Sequence, residues 1–207
     1  LQHKNVVDAA LKNGIKRIAY TSIAMNDFST SANQFLMQSH FQTEDYIQAS
    51  QVNYTFYRNN LYADTILMFA GENPFETGIS LPTGHGKVGF ALRREIGEAI
   101  ANDLVICESG NRIYQMTGSQ SYSYSDIAFE LSKISGSDVF YNDLKANEYK
   151  EILKKYEIPE EYIQMYSAFT EDIISNQHDI VSSDLEKLLG RKPIQFSDAL
   201  KELYDLK

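Results

Sequence analysis

Apolar residues recur at helical spacing through His3, Val6, Val7, Ala10 and Leu11, and Gly14 stands where a helix C-terminal stop belongs. Ile15 to Ser22 reads as a strand, apolar at Ile15, Ile18 and Tyr20. A polar loop from Ile23 to Ala32 leads to a helix of about Asn33 to Ser50, with Phe35, Leu36, His40, Phe41, Glu44 and Ile47 at compatible spacings. Val52 to Asn59 is dominated by β-favouring residues and predicts a second strand. Asn60 to Ala70 carries a helical pattern through Leu61, Ile66, Leu67 and Phe69. Pro and Gly crowd residues 71–89, which predicts loops with short strands near Ile79–Leu81 and from Lys87 to Ala91. A helix from Arg93 to Val105 and a strand from Arg112 to Thr117 follow. Next comes a helix from Ser123 to Ile134, capped by Ser123 or Ser125, whose hydroxyl accepts an orphan backbone N–H. Asp138 to Asn142 predicts a short strand. Helices near 146–157, 160–175, 182–189 and 197–205 complete the chain, the second opened by Pro159. Strand and helix alternate, then a helix-rich tail follows, with no repeat or low-complexity linker. That succession predicts an α/β fold.

Composition narrows the class. The 207 residues suit one large domain, or one with a small appendage. A net charge of −9 argues against a phosphate-backbone binder, which needs a concentrated basic face. No apolar run reaches the roughly 20 residues that span a bilayer, and LQHKNVVDAALKNG has neither the apolar stretch nor the cleavage site of a signal peptide. One cysteine, Cys107, rules out an internal disulfide framework; it follows a helix without a nearby cation and reads as packing. A cytoplasmic globular protein is expected. A helix at the first residues leading straight into a buried-type strand is how an α/β chain looks when entered midway, so a preceding N-terminal segment is expected. A small protein whose first helix starts early is the other reading.

Four stretches carry a resemblance: NVVDAALKNGIKRIAYTS, HFQTEDYIQASQVNYTFYRNNLYADTIL, GHGKVGFALRREIGEAIA and LEKLLGRKPIQFSDALKEL. They resemble the NmrA-like atypical short-chain dehydrogenases, most closely the type 2 NAD(P)H:quinone oxidoreductase branch, over almost the whole chain but only the C-terminal two-thirds or so of such a protein. The resemblance implies the C-terminal part of a Rossmann-like doubly wound parallel sheet with a smaller, helix-rich α+β substrate lobe. Residues 1–65, 90–118 and 177–207 would belong to the dinucleotide-binding part, and 66–89 with 119–176 to the lobe. The family's Gly-rich G-A-T-G-x-x-G-like turn, which seats the cofactor pyrophosphate on a helix N-terminus, does not occur here. Weak or no dinucleotide binding is therefore expected of this chain by itself.

Candidate site residues follow from both lines of reading. Thr21 and Ser22 end the first strand, where ligands bind in open α/β sheets; a Ser22 hydroxyl there can meet a nicotinamide or a substrate carbonyl, although Thr and Ser also end strands ordinarily. Arg58-Asn59-Asn60-Leu61-Tyr62-Ala63-Asp64 resembles the family's R-N-G-W-Y-x-E, which lies along the nicotinamide half of the cofactor. Asn60 stands for the usual Gly, Leu61 for an aromatic and Asp64 for Glu. A strand handing over to a helix there would offer backbone N–H groups; an ordinary turn is the plainer reading. His40-Phe41-Gln42-Thr43-Glu44 resembles H-x-x-T-E, and His40 and Glu44 share a helix face. His40 is a candidate proton donor to a reduced quinone oxygen, or a satisfied histidine in a helix-face ion pair. Lys87, after Gly84-His85-Gly86, is a candidate partner of a phosphate or substrate oxygen, or a solvated turn lysine. Tyr141 to Lys145 matches Tyr-x-x-x-Lys by letters, but leaves a strand for a loop. Tyr149, Tyr156, Tyr162, Met165 and Tyr166 are expected to line the core of the lobe.

The expected activity is hydride transfer from NADP(H) or NAD(H) to a quinone or similar small carbonyl, with no metal. The contrasting reading is an NmrA-like redox sensor that binds the dinucleotide without turnover. No nucleic acid or membrane partner is expected, and a homodimer is admitted.

Overall fold

The computed structural model describes residues 2–106 and 110–206, so Cys107 lies outside the described residues. Three strands, β1 (Arg17–Ile23), β2 (Asn53–Asn59) and β5 (Arg112–Met116), form a parallel sheet in the order β1-β2-β5. The pairing brings Ser22 opposite Arg58, Ile23 opposite Asn59, and Asn59 opposite Met116. Since side chains alternate across a strand, Tyr20, Ser22, Phe56 and Arg58 point to one face and Thr21, Tyr57 and Asn59 to the other. On the first face lie α1 (Gln2–Lys12) and α2 (Gln34–Ala49), whose Val7 and Ile47 pack with Val52 and Phe56. On the second lie α5 (Arg93–Ile106) and α9 (Asp184–Leu189), packing Ile96, Ala99, Leu185 and Leu189 onto Tyr57 and Met116. The strands run parallel with helices on both faces, the doubly wound arrangement expected of the sequence.

The rest of the chain gathers on a second core. Two further small sheets pair β3 (Ile79–Leu81) in parallel with β7 (Tyr141–Asp143), and β4 (Lys87–Val88) antiparallel with β6 (Tyr122–Ser123). Around them stand α3 (Ile66–Ala70), α4 (Pro74–Thr77), α6 (Tyr124–Ser135), α7 (Ala146–Lys155), α8 (Glu160–Ile174) and α10 (Phe196–Leu203). Their buried residues, among them Ile66, Ile79, Leu81, Val88, Ile127, Leu131, Ile173 and Leu200, form one continuous cluster. Ala199 and Leu200 of the C-terminal helix share it with the 66–89 and 119–176 segments.

Several elements differ from expectation for identifiable reasons. Residues 60–65 are not α-helical, because Asn60 N–H donates to Met116 O and Tyr62 bridges to Ala91. A 3-10 turn at Ala63–Thr65 then leads into α3. The strand expected at 138–142 begins only at Tyr141, since Val139 N–H donates to Ser132 Oγ at 2.8 Å and ties that stretch to α6. The strand expected to reach Ala91 ends at Val88, where Gly89 N–H turns to His178 O. Ser123 does cap α6, its Oγ accepting from Asp126 N–H while the Asp126 carboxylate accepts from Ser123 N–H. Of the Tyr and Met residues assigned to the lobe core, Tyr149 and Tyr166 join it, whereas Tyr162 is exposed and Tyr156 is 76% exposed.

Candidate functional site

The carboxyl ends of β1, β2 and β5 converge on a small group of polar residues. Ser22 is buried and its Oγ has no hydrogen-bond partner. Asn59 is buried; its Nδ2 donates to Tyr62 Oη at 3.1 Å, while its Oδ1 has no partner. Leaving such an atom unsatisfied costs about 1–3 kcal/mol, so two at neighbouring strand ends invite a hydrogen-bonding ligand.

The sheet sorts the candidate residues by face. Ser22 belongs with Tyr20 on the α1/α2 face, where Tyr20 Oη stands 2.9 Å from His40 Nδ1. Burial lowers the His40 pKa below the usual histidine value, with the nearby His3 ring acting in the same direction. Glu44, one turn along α2, does not pair with His40. It accepts two hydrogen bonds from Arg58, at 3.0 and 2.5 Å. Thr21, Asn59 and Tyr62 belong to the opposite face; Thr21 is exposed, and the Arg93 guanidinium lies 4.7 Å from the Tyr62 ring centroid. Thr21 and Ser22 therefore reach one ligand only at the tip of the strand.

The turn after β2 has less to offer a ligand than its sequence suggests. Asn60 N–H donates to Met116 O, Leu61 N–H to Asn60 Oδ1 and Ala63 N–H to Ala91 O, so these three amides are occupied internally. The Leu61 and Ala63 side chains are core residues. Asn60 Nδ2 donates to His178 O at 3.0 Å, and the Asp64 carboxylate accepts from Arg93 N–H at the start of α5. The side chains of Asn59 and Tyr62 are what this turn presents.

Lys87 is exposed on β4, opposite Ser123. The glycines around it answer to packing: a Cβ on Gly86 would stand 2.0 Å from Ile173 O, and one on Gly89 2.1 Å from Ile180 O. Tyr141 and Lys145 do not share a helix; Tyr141 Oη donates to Leu81 O from β7, and Lys145 precedes α7. Among the described residues there is no cluster of His, Cys, Asp or Glu able to hold a metal ion, and no helix long and apolar enough to cross a membrane.

Sequence reasoning passed over the segment that covers these strand ends. The loop after β1 meets the end of α8: Ser31 Oγ and Ala32 N–H donate to the Asp172 carboxylate, each at 2.7 Å. Asn26 N–H donates to Gln177 O, Asp27 N–H to Gln177 Oε1, and Gln177 Nε2 to Thr30 Oγ1. His178 is completely buried beside them, and burial pushes its pKa down to about 4 against the weaker opposing effect of a backbone hydrogen bond with Ala24. Nothing in the spacing of Asp172, Gln177 and His178 marks them in the sequence, because the loop partners of Asp172 and Gln177 lie about 140 residues or more away and His178 O is bonded by Asn60, 118 residues away.

A dinucleotide fits these residues in part. Ser22 Oγ on one face of the sheet and Asn59 Oδ1 on the other offer one donor and one acceptor at the strand ends, whereas the described residues contain no Gly-rich strand-to-helix turn for a pyrophosphate.

Comparison with known proteins agrees with this geometry. Quinone oxidoreductase 2 of Escherichia coli (strain K12) is 30% identical over 210 residues, covering 99% of this chain and 71% of that protein. The structure of the NADPH-dependent quinone oxidoreductase from Escherichia coli complexed with NADPH superposes with a TM-score of 0.86 at 29% identity, covering 98% of this chain and 71% of that one. The Citrobacter sp. triphenylmethane reductase complexed with NADP(H) gives 0.84 at 31% identity, covering 98% and 70%. The model of the NmrA-like family matches residues 1–198, and on this ground together with its parallel sheet the chain belongs to the NmrA-like family.

Proposed function

We propose that the protein is an NAD(P)H-dependent oxidoreductase delivering hydride to a quinone or a similarly conjugated small acceptor. One observation carries the reading: two buried polar atoms, Ser22 Oγ and Asn59 Oδ1, stand without partners at the carboxyl ends of adjacent parallel strands. Ligands bind at that edge of open α/β sheets. The names of the two reductases above support the reaction class, one being NADPH-dependent and the other complexed with NADP(H), which makes NADPH the first donor to test.

The bound nicotinamide supplies the hydride, and this chain supplies orientation. Asn59 Oδ1 would accept from the carboxamide and Ser22 Oγ–H would donate to a carbonyl oxygen at the strand tip, with Thr21 and Tyr62 as their neighbours there. The turn from Asn60 to Asp64 acts as a brace, Leu61 and Ala63 fixing it to the core. Lys87 stands as a point charge for a phosphate or acceptor oxygen. His40, held to Tyr20 at 2.9 Å, orders the face beneath Ser22, and a reduced acceptor would draw its proton from solvent.

The test is oxidation of NADPH by the full-length protein with a simple benzoquinone, followed as loss of nicotinamide absorbance. Turnover dependent on both reagents is expected. Tight dinucleotide binding without turnover would replace the enzyme reading with that of a sensor.

A further inference from the structure

The loop that follows Ser22 crosses the carboxyl ends of β1 and β2 and is held from outside the sheet. Its partners come from the end of α8 and the four residues beyond it. The Asp172 carboxylate is buried and takes Ser31 Oγ–H on one oxygen and Ala32 N–H on the other. Gln177 grips the same loop from both directions, accepting from Asp27 N–H at 2.9 Å and donating to Thr30 Oγ1 at 2.8 Å. Asn26 adds two bonds from its own backbone and side chain to Gln177 O and Asn176 O. On the other flank, Asn60 Nδ2 and Gly89 N–H both donate to His178 O. One short segment thus joins the β1 loop to the turn after β2.

What lies under this clasp is unsatisfied. Ser22 Oγ, Asn59 Oδ1 and both side-chain amide atoms of Asn33 are buried without partners. Asn33 directly precedes α2, the helix carrying His40 and Glu44, and its own N–H donates to Ser31 Oγ, which in turn donates to Asp172. The position of the loop therefore decides where these polar atoms stand. A carboxylate bonded to charge-free donors in a buried site is a strong and directional anchor.

We propose that Asp172, supported by Gln177, is a positioning residue that holds the 24–33 loop as a wall of the nicotinamide pocket, so that the α8 end sets dinucleotide affinity without touching the reacting atoms. This rests on the oxidoreductase reading above. The residue acts through Ser31 and Ala32, and through them on Asn33 and the start of α2.

The test compares wild-type full-length protein with Asp172→Ala, Asp172→Asn, Ser31→Ala and the Ser31→Ala/Asp172→Ala double variant. NADPH dissociation constants, the kcat and KM for NADPH, and hydrogen exchange by mass spectrometry are measured. Losing two bonds to a buried carboxylate should raise the NADPH constant about tenfold or more in Asp172→Ala, with kcat changed much less. Asp172→Asn, which keeps one acceptor oxygen, should fall between. The loss in the double variant should be smaller than the sum of the two single losses, because the Ser31–Asp172 bond is shared, while Asn33 N–H to Ser31 Oγ and Ala32 N–H to Asp172 are each lost in one single variant only. Exchange should rise at residues 24–33 and stay unchanged in the β2 core. If Asp172→Ala fails to fold, the smaller change Ser31→Ala, which removes one bond of the same contact, carries the comparison. Faster exchange in that loop with unaltered NADPH affinity would overturn the proposal, as would unaltered exchange. Wild-type protein that neither binds nor oxidises NADPH would instead remove the oxidoreductase reading, and the role of the clasp with it.

Discussion

Arg58 and Glu44 meet as a fork: Arg58 Nε donates to Glu44 Oε1 at 3.0 Å and Nη2 to Oε2 at 2.5 Å. Glu44 is 2% exposed and Arg58 28%, so the pair is shielded on the carboxylate side. The two residues begin and end the two stretches of most family-like sequence, and the fork fixes α2 against the last turn of β2. Such pairs are costly to break from one side only, because the remaining charge stays buried. Arg58→Ala is expected to lower unfolding stability by about 2–4 kcal/mol in urea titrations, with Glu44→Gln costing less. Equal stability of Arg58→Ala and wild type would mean that Glu44 is protonated or solvated in solution.

Ser22 and Asn59 should separate function from stability. The Ser22 hydroxyl has no partner in the protein alone, so Ser22→Ala should leave stability unchanged or raise it by up to about 1 kcal/mol. The same change should lower kcat/KM for quinone reduction roughly tenfold. Asn59→Leu should raise the NADPH dissociation constant by a similar factor while circular dichroism stays native. Native affinity in a folded Asn59→Leu protein would make that turn structural.

His178 should give the protein an acid-side stability slope. Its folded pKa, about 4, is below the unfolded value of 6.5, so between these values the unfolded chain binds more protons. Stability is then expected to fall as pH drops from 6.5 to 4, by roughly 3 kcal/mol in total from this residue, and to be flat above 6.5. Asp172 works in the opposite sense, because burial raises its pKa and protonation then favours the folded state. The difference between wild type and His178→Gln, measured by denaturant unfolding at several pH values, isolates the histidine. A His178→Gln protein with the wild-type slope would show that the ring is solvated.

Two glycines should respond in opposite directions to alanine. Gly86 faces the Ile173 carbonyl so closely that Gly86→Ala should cost about 3 kcal/mol or more, since backbone rather than a flexible side chain must move. Gly97, in the middle of α5, has nothing within 4 Å of a Cβ, and Gly97→Ala should stabilise by about 0.5–1 kcal/mol. Thermal unfolding of the two variants side by side checks both signs.

Periodicity along the chain determined the element types and their order. Val52–Asn59, rich in β-favouring residues, is a strand as expected, and of the two serines offered as cap for α6, Ser123 serves, closing a capping box with Asp126. Alternation of strands and helices pointed to the α/β class, and the family resemblance to parallel strands with helices on both faces, which the sheet order shows. Local pattern misjudged residues 60–65, where Met116 O and Ala91 O, more than twenty-five residues away, claim the amides a helix would have used. The site itself was decided by tertiary structure. Register and pleat place Thr21 and Ser22 on opposite faces, and Glu44 finds Arg58 instead of His40 because the sheet presents a guanidinium there. The clasp of Asp172, Gln177 and His178 over the strand ends depends on contacts spanning most of the chain, and a buried side chain's partner is set by three-dimensional packing that one-dimensional spacing does not encode.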